Sequence, residues 1–270
     1  MISTLYGKSG SNFEIVNKNG DFFLKKRSKN IASNSRLIIQ AMKQVEFYKE
    51  NRYPNVKTPE ITDVFSGNST DLSFVEMKYI FGKNATAFLR ESDIAVINKL
   101  LENVLSYLDD IFKNAKAGDT NTVIQKAEQV GQMEFPRKEE IMKILSRAPT
   151  ENLLVGPSHG DFTMANMVFT DSTIYAVDFL NTYVDSPILD LLSLRQDTHH
   201  LWSCLLSKTY ACRPIETLKY IDNQLKVKYD WIIKSEWYKY LSLMNYVRMY
   251  PFNTDKDSTE FINNCILEYL

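Results

Sequence analysis

The sequence predicts an α+β fold, in which a small strand-rich part is followed by a larger and mainly helical part. Three observations predict it: an Asn-Gly hairpin signal near residue 20, helical periodicity that dominates from residue 85 onward, and a short β-rich island at residues 153–180. The pattern changes near residue 82, which divides the chain into residues 1–82 and residues 83–270.

Strand and helix signals alternate in the first part. The runs NFEIVN and DFFLKKR flank Asn19-Gly20, and Asn-Gly is a strong signal for a hairpin with a two-residue turn. Apolar residues then recur at three- and four-residue steps over residues 35–51, which predicts a helix. Pro54 and Pro59 end this helix, and the runs EITDVF and LSFVEMKYI predict further strands.

Helices are predicted for most of the second part. The run SDIAVINKLLENVLSYLDDIF combines a capping serine with a long amphipathic stripe. Strand-like runs at residues 153–155, 167–169 and 174–179 interrupt the helical pattern, which then resumes and continues to the last residue. The sequence contains no internal repeat and no low-complexity tract.

The composition is that of an ordinary globular protein, with 44% hydrophobic and 24% charged residues. Because 32 basic residues nearly balance 33 acidic ones, bulk charge favours neither nucleic acid nor an anionic membrane as a partner. No apolar run approaches the roughly 20 residues that span a bilayer. The opening MISTLYGKSG lacks the basic start and apolar centre of a signal peptide. We therefore expect a cytoplasmic protein.

Cysteine and histidine usage predicts neither a disulfide framework nor a zinc site. No CxxC pair is present, and the histidines are too few and too poorly spaced to match a histidine metal motif. The residues concerned are Cys204, Cys212, Cys265, His159, His199 and His200. This usage favours a reduced compartment.

Polar residues follow the apolar runs of the β-rich island in a specific order. HGDFTMANMVF contains Asp161 and Asn166, and AVDFL contains Asp178. Phosphoryl transfer needs a carboxylate for the proton of the acceptor hydroxyl, and Asp161 suits that role. Asn166 and Asp178 suit magnesium, which prefers carboxylate and amide oxygens. Each residue alone is more typical of a turn or a cap than of a catalytic site, but the ordered set favours one site.

The stretch HGDFTMANMVF…YAVDFLNTYVDSPILDLLSL resembles the aminoglycoside phosphotransferase/choline kinase family, which has a bilobal protein-kinase-like fold. The family pattern is H-G-D-x-x-x-x-N, then an apolar residue with D-F/W, then D-x-P-x-x-D-L, and residues 159–194 match all three in order. Similarity over residues 5–82 is looser. The resemblance implies a small-molecule kinase with an ATP-binding lobe at residues 1–82 and a catalytic, acceptor-binding lobe at residues 83–270.

The resemblance also implies a role for each residue of the motif. Asp161 would be the catalytic base, and Asn166 and Asp178 would hold Mg²⁺. His159 would orient the catalytic loop, and Asp190 would brace it. A protein substrate is not expected, because Thr163 stands where protein kinases carry a basic residue and no APE segment follows. The residues to which these expectations apply are His159, Asp161, Thr163, Asn166, Asp178 and Asp190.

ATP would then bind the first lobe through a lysine at the end of a strand. Adjacent side chains on a strand point to opposite faces, so only one of Lys25 and Lys26 can reach the phosphates. The strand pattern favours Lys25. Glu46 on the following helix is the expected ion-pair partner, with Glu50 as the alternative.

A glycine-containing loop and a hinge complete the expected nucleotide site. Gly7, Ser9, Gly10 and Ser11 would cover the phosphates with backbone amides and hydroxyls. This loop is not a Walker A loop, because Ile2 stands where that motif needs glycine. In the hinge, backbone groups of Lys78 and Ile80 would bind adenine, and Met77 would lie behind the ring.

The acceptor is less well defined by the sequence. A sugar or polyol is favoured, because the segment after Asp178 resembles the family branch found among bacterial surface-polysaccharide enzymes. Choline or ethanolamine, an aminoglycoside, and a non-catalytic pseudokinase remain alternatives. Candidate acceptor contacts are Asp185, Asp197 and Trp202, although Asp185 also suits a helix cap. The choice between ATP and GTP and the oligomeric state stay open.

Overall fold

The computed structural model describes residues 4–6, 11–50, 52–171, 173–207, 212–253 and 255–270. Strands dominate the N-terminal region and helices dominate the rest, which confirms the predicted α+β class. The chain forms two compact units, Met1–Val104 with Ala165–Asn181 and Leu105–Met164 with Thr182–Leu270. This division differs from the boundary predicted near residue 82, because residues 83–104 and the hairpin of the β-rich island both belong to the first unit.

The main sheet of the first unit is antiparallel, in the order β1-β2-β3-β6-β5. Its strands are β1 (Thr4–Tyr6), β2 (Asn12–Lys18), β3 (Asp21–Arg27), β5 (Ile61–Phe65) and β6 (Phe74–Lys78). Strands β2 and β3 form the predicted hairpin, and its two turn residues have positive φ angles of 56° at Asn19 and 96° at Gly20. Asn-Gly suits this turn because both residues tolerate that conformation.

The hairpin turn gives a first test of stability. We expect Gly20→Ala to lower the free energy of unfolding by about 1 kcal/mol, because a residue with a Cβ is strained at positive φ. The cost should come from the backbone alone, since a Cβ at this position would meet no atom within 4 Å. Urea unfolding measures it, and Gly20→Asn should cost less because asparagine tolerates this region. Equal costs for the two variants would contradict this explanation.

One helix packs on the main sheet. Helix α1 (Asn34–Glu50) begins after a short 3₁₀ helix, Ile31–Ser33, and lies within one residue of its predicted bounds. Its inward face forms the core of this unit together with strand β6. The buried members of that core are Leu37, Ala41, Val75 and Met77, with Leu24 and Ile61 packed against them.

A second, three-stranded sheet contains the island hairpin. Strands β9 (Met167–Phe169) and β10 (Ile174–Ala176) are antiparallel, and β10 pairs in parallel with β4 (Val56–Lys57). Helix α2 (Ala85–Glu91) packs on this hairpin, where the rings of Phe88 and Phe169 stack with their centroids 4.4 Å apart. Helix α3 (Ile94–Lys113) then carries the chain from the first unit into the second.

The second unit is mainly helical. Its elements are β7 (Lys116–Gly118), α4 (Asn121–Gly131), α5 (Lys138–Leu145), β8 (Leu153–Val155), the 3₁₀ helix Met164–Asn166 at the junction, α6 (Pro187–Thr198), α7 (Trp202–Ser207), α8 (Cys212–Ile233), α9 (Glu236–Val247), the 3₁₀ helix Tyr250–Phe252 and α10 (Lys256–Leu267). Every residue of α6 is buried. Its polar side chains must therefore find partners within the protein. In the part of the chain described here, we find no helix with both the length and the apolarity to cross a bilayer.

Candidate active site

A buried carboxylate on α6 holds the loop that carries the sequence motif. One oxygen of Asp190 accepts hydrogen bonds from the His159 backbone N–H at 2.7 Å and from the Tyr107 hydroxyl at 2.6 Å. The other accepts from the Gly160 N–H at 2.7 Å. Gly160 has a φ of 88°, a conformation that disfavours other residues. The start of the loop is thus fixed by three hydrogen bonds to one fully buried side chain.

The rest of the loop is fixed by its own backbone and by a second carboxylate of α6. The Asp161 N–H donates to Nδ1 of the buried His159 at 3.3 Å, and the Asp161 carbonyl accepts from Thr163 N–H at 2.7 Å. The Met164 N–H donates to Asp197 at 2.6 Å. The loop is therefore held at both ends by α6. The expectation that His159 orients this loop stays a prediction.

Two of the three residues predicted to contact the acceptor are buried inside the protein. Asp197 is fully buried, and its second oxygen accepts from the Ser203 N–H at 2.9 Å and hydroxyl at 2.6 Å, so it supports the loop and α7. Trp202 is buried against Phe261, with ring centroids 5.0 Å apart. Neither side chain is accessible to an acceptor, because both are buried where α6 and α7 pack within the second unit.

The third candidate contact, Asp185, is exposed. Its carboxylate accepts weakly from Ser158 at 3.4 Å and Thr182 at 3.3 Å. The cap of α6 is the next residue, Ser186, whose side chain accepts from the Ile188 N–H. A role for Asp185 in acceptor binding stays a prediction.

In the first unit, the hairpin of β9 and β10 brings Asn166 next to the segment that carries Asp178. The Val177 N–H donates to the Asn166 carbonyl at 2.9 Å, which continues the ladder by one rung. Asp178 then has a φ of 65°, a left-handed conformation that aspartate tolerates better than most residues. The strand ends here, earlier than the predicted residue 179, because this conformation breaks the ladder.

The residues after Asp178 are anchored to α1. Phe179 is buried, and its ring packs edge-to-face on that of Phe47 with centroids 5.1 Å apart. The Lys43 ammonium donates to the Leu180 carbonyl at 3.2 Å. These contacts fix the backbone, whereas the Asp178 side chain remains 40% exposed. Its carboxylate is therefore positioned but still accessible.

The structure pairs Lys26, and not Lys25, with Asp178. The Lys26 side chain is buried and its ammonium forms a short ion pair with the Asp178 carboxylate. Lys25 points to the opposite face of β3, where its ammonium lies 3.5 Å from the centroid of the Phe74 ring. The preference for Lys25 was wrong because the strand alternation places Lys26 on the same face as the core residue Leu24.

Glu46 is not the partner of either lysine. It is exposed, and it lies two residues beyond the buried Gln44, about 200° around the helix. A small cavity of about 20 Å³ beside Lys26 and Asp178 is lined from α1 by Gln40 and Gln44, so this helix presents amides there. The alternative acid, Glu50, pairs with Arg52 at 3.3 Å. The predicted ion pair with an acid from α1 is therefore wrong, and the partner of Lys26 is Asp178 instead.

The remaining nucleotide contacts stay predictions. Gly7, Ser9 and Gly10 lie outside the described residues, and the described Ser11 directly precedes β2. Met77 is buried and lines the same small cavity as Lys26. The N–H of Lys78 donates to the Glu60 carbonyl at 2.9 Å, and adenine binding by backbone groups of Lys78 and Ile80 stays a prediction.

The donor set fits the magnesium ion that the motif implies. Asn166 and Asp178 offer amide and carboxylate oxygens, which are the hard ligands this ion prefers. The partial exposure of Asp178 leaves its carboxylate accessible to such an ion.

Solved structures identify the fold. No family model matches the sequence, and no curated protein matches it either. A thermostable mutant of aminoglycoside phosphotransferase APH(4)-Ia aligns over 99% of this chain and 94% of its own, with 12% identity and a TM-score of 0.62. The choline kinase LicA from Streptococcus pneumoniae aligns over 100% and 93%, with 12% identity and a TM-score of 0.58. A putative fructosamine-3-kinase from Haemophilus somnus aligns over 100% and 91%, with 11% identity and a TM-score of 0.59. The chain therefore has the protein-kinase-like fold that aminoglycoside phosphotransferases and choline kinases share.

Proposed function

We propose that this protein is an ATP- and magnesium-dependent kinase that transfers the γ-phosphate to a hydroxyl group of a small metabolite. The observation that carries the proposal is the Lys26–Asp178 ion pair beside Asn166, at the end of a hairpin that directly follows the braced loop of Asp161. Relatives in fold support it, since APH(4)-Ia has been solved with ADP or AMP-PNP together with hygromycin B.

Each residue has a defined role in the proposed reaction. The Asp161 carboxylate accepts the proton of the acceptor hydroxyl as its oxygen bonds to the γ-phosphorus. The bond from the γ-phosphorus to the β,γ-bridging oxygen breaks, and ADP leaves with that oxygen. The Lys26 ammonium binds the phosphates and offsets part of their negative charge. Magnesium, held by Asn166 and Asp178, would neutralise phosphate charge when bound.

The acceptor proposed is a sugar or polyol. Aromatic side chains of the C-terminal third could stack on a sugar or enclose a choline-like acceptor, but most of them are core residues. The buried ones are Trp202, Trp237, Tyr238, Tyr240 and Tyr246, whereas Trp231 and Phe252 are exposed. A cation–π cage needs accessible ring faces, which buried rings do not offer. A formal charge of −1 gives little attraction for polycationic aminoglycosides. A cytoplasmic location is proposed with this activity.

Acceptor-dependent release of ADP tests the proposal. The protein is mixed with Mg-ATP and, separately, with pools of sugars, polyols, choline with ethanolamine, and aminoglycosides, and ADP is followed with a coupled assay. We expect one pool, the sugars or polyols, to stimulate ADP release above the basal rate. Binding of ATP without stimulation by any pool would support a pseudokinase instead.

The two adjacent lysines offer a matched pair of variants. We expect Lys26→Met to weaken Mg-ATP binding about ten- to a hundredfold, because a hydrogen bond to a charged group is worth about 1.5–3 kcal/mol. Lys25→Met should leave binding unchanged, since Lys25 lies on the opposite face of β3. Isothermal titration calorimetry measures both. A larger loss for Lys25→Met than for Lys26→Met would contradict the assignment.

A further inference from the structure

Three potential metal ligands converge at the end of α6, within the second unit. Nε2 of His199 lies 2.9 Å from the Glu268 carboxylate, and Nε2 of His200 lies 3.2 Å from the same oxygen. One ligand atom from each of the three residues falls within 4.8 Å of the others. Two imidazoles and a carboxylate thus face one point.

The end of the helix allows neighbouring residues to converge. Adjacent side chains on a continuous helix diverge by about 100°. Here α6 stops at Thr198, His199 is its C-terminal cap, and Leu201 has a φ of 63°. A leucine in the left-handed region is strained, and such strain is often found at functional sites. The turn brings both imidazoles to the same carboxylate.

Two of the three ligand spacings are close to those of tetrahedral coordination. Zinc binds histidine nitrogens and carboxylate oxygens at about 2.0–2.1 Å, so two ligands at a tetrahedral ion are about 3.3 Å apart. The two nitrogen–oxygen distances of 2.9 and 3.2 Å lie close to that value.

The other ring nitrogens are held by partners of the kind that orient metal-bound histidines. Nδ1 of His199 lies 3.3 Å from the buried Asp222 carboxylate on α8. Nδ1 of His200 lies 2.5 Å from the hydroxyl of Tyr246 on α9. A carboxylate or a polar group behind the imidazole fixes its orientation and its tautomer.

Nε2 of His200 lies close to the Glu268 carboxylate. In the tautomer in which Nδ1 of His200 donates to the Tyr246 hydroxyl, Nε2 carries the lone pair. That Nε2 atom is buried and makes no hydrogen bond of acceptable geometry. A buried imidazole nitrogen that lies close to a carboxylate without a hydrogen bond is an arrangement that a bound cation would complete.

We propose that His199, His200 and Glu268 bind a divalent transition-metal ion, with zinc as the expected metal. The ion would join the end of α6 to the segment after α10. Because α6 also carries Asp190 and Asp197, it would stiffen the helix that holds the catalytic loop. The sequence concealed this site, since the third ligand lies far along the chain from the histidine pair.

Metal binding is measured on the full chain without a histidine tag. We expect about one zinc ion per chain by elemental analysis, and Co²⁺ titration should give the visible absorption bands of a tetrahedral complex. Zinc should raise the midpoint of thermal unfolding and a chelator should lower it. Glu268→Gln should bind Co²⁺ more than about 100-fold more weakly. The matched control is Glu260→Gln, which alters an exposed acid on α10 and should bind like the wild type.

Two results would overturn the proposal. One is a tag-free protein that takes up no zinc and gives no tetrahedral cobalt spectrum. The other concerns Glu268→Gln, which changes a half-exposed side chain and should leave the fold intact. If this variant lowers the unfolding midpoint equally in zinc and in chelator, the three residues form hydrogen bonds only.

Discussion

Asp161→Asn is expected to lower the kcat for phosphoryl transfer by a factor of about 10²–10⁴, which is the usual contribution of a general base. The change removes the group that accepts the acceptor proton. The loop should keep its conformation, because the contacts of Asp161 with His159 and Thr163 use its backbone. Affinity for Mg-ATP should therefore change little. Steady-state kinetics with the acceptor pool that stimulates ADP release give kcat, and calorimetry gives the affinity.

The matched control is Asp171→Asn, which alters an exposed acid in the turn between β9 and β10. It should retain the wild-type kcat. If Asp161→Asn also retains a rate within a few-fold of the wild type, Asp161 is not the base and the proposed mechanism is wrong.

Asp190→Ala should cause the largest loss of stability, about 3 kcal/mol or more. The substitution leaves the His159 and Gly160 N–H groups and the Tyr107 hydroxyl without their common acceptor in a buried site. Each buried donor left unpaired costs about 1–3 kcal/mol. Urea unfolding gives the free energy, and Asp190→Asn provides a milder change if the alanine variant does not fold.

Two further variants show whether this loss comes from the loop. Tyr107→Phe removes one of the three hydrogen bonds and should cost about 1 kcal/mol. Glu128→Gln changes an exposed acid on α4 and should be neutral. A loss below about 1 kcal/mol for Asp190→Ala would mean that the hydrogen bonds contribute far less than buried donors usually do.

Elements with strong local signals could be predicted from the sequence. The Asn-Gly turn fixed the hairpin, because few residue pairs accept two successive positive φ angles. The bounds of α1 and the strands at residues 153–155 and 167–169 also match, since apolar periodicity and flanking turn residues are local properties. The last island strand ends at Ala176 because Asp178 adopts a left-handed conformation, which the apolar run did not reveal.

Side-chain partners were harder to predict, because tertiary packing decides them. The motif placed Asn166 and Asp178 on one hairpin, yet the choice between Lys25 and Lys26 depended on which face of β3 meets α1. The orientation of Glu46 depended on the rotation of α1. The sequence suggested Asp197 as an acceptor contact, but its side chain is fully buried and accepts hydrogen bonds within the protein. One sequence signal could have favoured Lys26: side chains alternate along β3, so Lys26 lies on the same face as the apolar Leu24.

Transfer of labelled phosphate to an acceptor tests the central claim most directly. The protein is incubated with ATP labelled at the γ-phosphate, magnesium and the pooled small molecules, beside Asp161→Asn, and the products are separated. The account predicts a labelled phosphorylated metabolite in one pool with the wild type and about 10²–10⁴-fold less with the variant. Label that remains in ATP, or appears only as inorganic phosphate in every pool, would contradict a small-molecule kinase.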